Sequence, residues 1–79
     1  MTLADTRLRR DVQKELVKRD LETNQIFVTV VNAVVYLDGD LRPIRGLEFD
    51  LRRENEIIEE IVRRMKGVRD VVNNLKIPL

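Results

Sequence analysis

The sequence predicts an α+β domain of order α-β-β-α-β, with two helices packed on one face of a three-stranded mixed sheet. Three observations lead there. Apolar residues recur every three to four positions in two separate stretches, and at every second position in the segments between and after them. A two-residue break, Asn32-Ala33, divides one apolar run into two halves, as a hairpin turn does. No apolar run is longer than five residues, far short of the roughly 20 that a spanning helix needs.

The first helix is expected over residues 4–19. Thr2 or Asp5 can accept a hydrogen bond from the first turn, and Leu8, Val12 and Leu16 form one narrow apolar stripe. Arg7 with Asp11 and Glu15 with Arg19 stand at i,i+4 spacing, and Leu21 follows as an anchor. Strands are expected at 25–31 and 34–41. A two-residue turn sets Val31 opposite Val34, Val30 opposite Val35, Thr29 opposite Tyr36 and Val28 opposite Leu37. One face then collects Ile26, Val28, Val30, Val35 and Leu37. The other collects Phe27, Thr29, Val31, Val34 and Tyr36, too apolar a set for an ordinary wetted surface.

Residues 41–50, punctuated by Pro43 and Gly46, keep no period through Leu41, Ile44, Leu47 and Phe49, and read as an arm or loop. The second helix is expected over 51–66, capped by Asp50, with Leu51, Glu54, Ile57, Ile58, Ile61, Val62 and Met65 along one side. Glu59 with Arg63 and Glu60 with Arg64 brace its outer side, and Gly67 suits its end. A last strand, 70–77, stops at Pro78.

Composition narrows the function. The 79 residues contain no cysteine, histidine or serine, which removes the Cys and Ser nucleophiles and the commonest general base and metal ligand. The reading is therefore a single domain over 1–79 that binds without catalysis, metal or cofactor. Fifteen basic and fourteen acidic residues make up a charged fraction of 37%, a dense and balanced set like that of thermophile proteins. The balance argues against nucleic acid as the partner. Nothing is apolar enough to cross a membrane, and no signal-peptide core follows Met1, so the chain as given reads as cytoplasmic. An upstream export signal would instead place it at the envelope.

Two motifs and the overall spacing carry a resemblance. Leu8, Val12, Leu16 and Asp20, then Ile26, Val28 and Val30, are spaced as in the opening half of a BON domain. Val34-Val35-Tyr36-Leu37-Asp38-Gly39 resembles that family's Gly-x-Val-x-Leu-x-Gly segment, and Gly67-Val68-Arg69-Asp70-Val71-Val72-Asn73 its closing Gly-Val-x-x-Val-x-Asn signature. Two departures stand out: Ala33 replaces the usual turn glycine, and about 41–50 looks like an atypical insertion. The resemblance implies an αββαβ module, non-catalytic, that attaches bacterial envelope proteins to membrane surfaces or phospholipids.

Two surfaces are candidates for contact. Arg63, Arg64, Lys66 and Arg69 converge near one helix end and are the anionic-lipid candidate; a solvated helix face is the competing account. Phe27, Thr29, Val31, Val34 and Tyr36 are the candidate face for a protein partner or a homo-oligomer. The competing account there is a lid formed by Leu41, Ile44, Leu47 and Phe49. Glu54, Glu56, Glu59 and Glu60 do not read as a catalytic or metal site, and Asp38-Gly39-Asp40 lacks the ligands of a calcium loop. A KH-like nucleic-acid domain is a minor alternative, because the Gly-x-x-Gly loop it requires is not in the sequence.

Overall fold

The computed structural model describes residues 2–19, 23–42 and 50–77. Their order is α1 (Leu3–Val17), a 3-10 turn (Thr23–Gln25), β1 (Ile26–Val31), β2 (Val34–Asp40), α2 (Leu51–Arg64) and β3 (Asp70–Lys76). The strands lie in the order β1-β2-β3, with β1 and β2 antiparallel and β2 and β3 parallel, so the sheet is mixed as expected. The hairpin register is the one read from the sequence, from Val31 opposite Val34 to Val28 opposite Leu37.

Each helix begins where a short polar side chain meets an orphan backbone donor. The Thr2 hydroxyl accepts from the Asp5 N–H at 3.1 Å, and the Asp50 carboxylate accepts from the Arg53 N–H at 3.3 Å. Val12, Val30, Val35, Leu37 and Val62 are fully buried between the helices and one face of the sheet. A single face of the sheet thus carries the whole core, and both helices lie on it.

Three local readings are corrected. Asp5 caps no helix; it is buried within the first turn of α1 and serves the hairpin. Leu41 belongs to neither an arm nor a lid. It is fully buried in the core, and its N–H donates to the Lys76 carbonyl at 2.8 Å, prolonging the pairing of β2 with β3. Glu15 pairs with Lys18 at 3.0 Å, whereas Arg19 turns to Glu54 on α2. Leu21, Pro78 and the remaining arm residues Ile44, Leu47 and Phe49 lie outside the described residues.

Candidate functional site

One end of the domain is built by the hairpin turn, the first turn of α1 and the junction between α2 and β3. Asn32 and Ala33 both take positive φ, 51° and 63°, as a tight two-residue turn requires. Asp5 reaches across from α1 and holds this turn, its two carboxylate oxygens accepting from the Asn32 N–H at 3.1 Å and the Ala33 N–H at 3.0 Å. The Ala33 bond is the main reason the Asp5 carboxyl is held below its ordinary range; burial opposes the shift, and the Asn32 and Thr2 bonds add to it. The Ala33 carbonyl in turn accepts from the Arg69 N–H at 2.8 Å, which fixes the start of β3 against the same turn. Gly67, at φ +93°, makes the bend that joins α2 to β3.

The four basic candidates therefore share one region, but their states differ. Arg63 bonds Asp70 at 2.9 Å and lies 3.7 Å from Glu59; Arg64 lies 3.7 Å from Glu60. Asp70 is held below its ordinary range, first by the Val71 N–H and then by Arg63. Lys66 and Arg69 are exposed, and among the described residues neither has an ion-pair partner. Lys66 and Gly67 also line a groove of about 540 Å³ together with Leu3, Asp5, Arg7 and Asp11 of α1, so its lining carries both signs of charge.

The second candidate surface is the side of the sheet turned away from the helices. Its three rows are Phe27-Asp38-Asn74, Thr29-Tyr36-Val72 and Val31-Val34-Asp70. Phe27 is 62% exposed, Val31 48% and Val72 36%, while Val34 and Tyr36 are half-buried. All five candidates lie on one face, and Val72 joins them because the parallel pairing sets it beside Tyr36.

Among the described residues, no group of three or more carboxylates comes together with the geometry of a metal centre. Glu54 is instead structural. It is buried at 5% exposure and receives both Nε and Nη2 of Arg19, at 2.5 and 2.7 Å, locking α2 to the end of α1. Asn73 is also structural: its amide donates to the Asn55 side chain at 2.7 Å, and its side-chain oxygen accepts from the Leu75 N–H at 3.0 Å.

Sequence reasoning missed the Asp5 clasp and the Arg19–Glu54 bridge because each joins residues about thirty positions apart. The available signals were an alanine in a turn that wants glycine, and a glutamate on the apolar side of a helix.

The family model of the BON domain matches residues 4–42 and 50–78, so its two matched segments take in both helices and all three strands. Among curated proteins, none matches the chain. The BON family is one of non-catalytic binding modules associated at the family level with phospholipids and membranes. In fold, strand register and family match, the chain belongs to the BON domain family.

Proposed function

We propose that this domain attaches peripherally to an anionic phospholipid surface through Arg63, Arg64, Lys66 and Arg69, and that it acts by binding alone. The observation that carries the reading is the pair Lys66 and Arg69. Both are exposed on either side of the Gly67 bend, and neither has an ion-pair partner among the described residues. Arg63 and Arg64 are tied to carboxylates, yet those pairs are open to water and hold weakly. A lipid phosphate can compete for either guanidinium. Each cation near such a surface contributes about 1 kcal/mol, and salt screens it. Co-sedimentation with phosphatidylglycerol-containing vesicles tests this. Lys66→Glu with Arg69→Glu should reduce binding at least about 25-fold, what losing two contacts of about 1 kcal/mol each implies; unchanged binding would remove these residues from the contact.

A second reading rests on Phe27, Val31 and Val72, three exposed apolar side chains on adjacent strands. We infer that this face is covered by a second copy of the chain. Fully burying such a side chain is worth about 1.5–3 kcal/mol. Phe27→Asp should abolish association in light scattering while leaving a cooperative melt. A wild-type chain that stays monomeric at high concentration would end this reading.

A further inference from the structure

The two free edges of the sheet are finished differently. At β3 the backbone groups facing away from β2 are answered by side chains. The Val71 N–H donates to the Asp70 carboxylate at 2.8 Å, the Leu75 N–H donates to the Asn73 side-chain oxygen at 3.0 Å, and the Val71 carbonyl accepts from Arg63 at 3.4 Å. At β1 the pattern is different. Val31 and Val34 flank a two-residue turn and so exchange ladder bonds, and the alternation that follows turns the backbone groups of Val28 and Val30 away from β2. Among the described residues no side chain bonds either of them. Val30 is fully buried, which leaves the edge reachable around Val28. Nor does β1 carry the usual edge protection: Ile26–Val31 holds no charge, no proline and no bulge.

A slot opens beside this edge. Gln13, Leu16 and Val17 of α1 overhang Ile26 and Val28 and enclose about 280 Å³. Gln13 and Val17 also wall an adjoining hollow, whose other lining residues are Arg10, Lys14 and Lys18. The carboxylates of α1 lie elsewhere: winding at 100° per residue sets Asp11 and Glu15 on the flank toward α2, and Asp5 is taken up by the hairpin turn. An occupant of the slot therefore meets aliphatic walls, one amide and a rim of cations.

We propose that β1 accepts an added strand from a protein partner, an extended segment with apolar residues at alternate positions and carboxylates beside them. Its backbone pairs with Val28, an apolar side chain enters the slot under α1, and its carboxylates meet Arg10 and Lys14. The geometry excludes a second copy docked edge to edge. Paired strands lie about 4.8 Å apart and packed helices need about 8–10 Å. Because α1 rests on β1, two such edges would drive their α1 helices into each other. A bare strand brings no helix. The site is separate from lipid attachment at Lys66 and Arg69 and does not depend on it.

The test is amide hydrogen exchange, read by NMR on the whole chain. The probe is a synthetic peptide of about eight residues, valine alternating with threonine and ending in two glutamates; its counterpart ends in two lysines. In the free chain the Val28 amide should exchange faster than that of Thr29, which bonds β2. The glutamate peptide should slow Val28 at least about tenfold and leave Thr29 unchanged, and the lysine peptide should bind at least about tenfold more weakly. Val17 is 66% exposed, so Val17→Asp should keep the wild-type melt while losing the glutamate peptide and gaining the lysine one. Four results would overturn the proposal: no slowing at about 1 mM peptide, equal binding of both peptides, a Val28 amide already as protected as Thr29 in the free chain, or protection that grows with protein concentration alone. The third would assign the edge to the chain itself and the fourth to a second copy. Each is read on the wild type, so the test holds even where Val17→Asp fails to fold.

Discussion

Asp5 shows how one side chain can permit an unfavourable residue elsewhere. An alanine at φ 63° is strained, because its Cβ crowds the backbone in the left-handed region. The Asp5 carboxylate holds the turn in place by accepting from Asn32 and Ala33 together. Two predictions belong at this scale. Ala33→Gly should stabilise the domain by about 0.5–1 kcal/mol, the relief of strain exceeding the entropy that glycine adds to the unfolded chain; chemical denaturation would measure it. Asp5→Asn should lower the melting temperature, because an amide offers one acceptor oxygen where the turn presents two donors. The folded Asp5 pKa lies below its ordinary value of 3.8, so its stabilisation is present above that pH and is lost as pH falls through the folded value. The wild type should therefore lose stability on acidification below about pH 4, and Asp5→Asn should lose less over the same window.

At the level of elements, the sequence was most legible where local periodicity and burial agree. The hairpin register followed from counting outward from Asn32-Ala33, and α2 from the spacing of Leu51, Ile58 and Val62. Charge pairs were less legible. Glu59–Arg63 and Glu60–Arg64 formed at their i,i+4 spacing, but Arg19 left its helical neighbour for Glu54, because a buried carboxylate draws a guanidinium more strongly than an exposed one. That bridge ties the two helices together. Arg19→Ala should destabilise by about 2–3 kcal/mol, since Glu54 is left buried without its partner. Glu54→Leu should cost far less, because Arg19 is a third open to water and Leu suits an apolar site. Thermal melts of the two variants check the asymmetry; equal losses would mean that the bridge itself, rather than the stranded carboxylate, sets the cost.

For the whole molecule, the two helices on one side of the sheet leave two opposite outer surfaces. One is the apolar sheet face around Phe27; the other is the outward side of α1, whose Leu3, Arg7 and Asp11 line a groove shared with Lys66. The sequence disclosed the first, because strand alternation sorts residues without reference to anything distant. It disclosed the second in part. Arg63-Arg64 is visible as a run, but Arg7 and Lys66 come to line one groove only when α2 is folded beside the hairpin. On the proposed reading, association through Phe27 and attachment through Lys66 and Arg69 use separate surfaces, so substitutions on each should act independently.

The central claim is attachment to an anionic surface by solvated cations. Its most direct measurement is partitioning of the wild-type chain between buffer and phosphatidylglycerol vesicles as salt is raised. The account predicts firm binding at low salt that weakens steadily and is largely gone by about 1 M, where the screening length has shrunk to about 3 Å, with neutral phosphatidylcholine vesicles left unbound throughout. Binding that is absent at low salt, or that persists unchanged in high salt and on neutral vesicles, would contradict it.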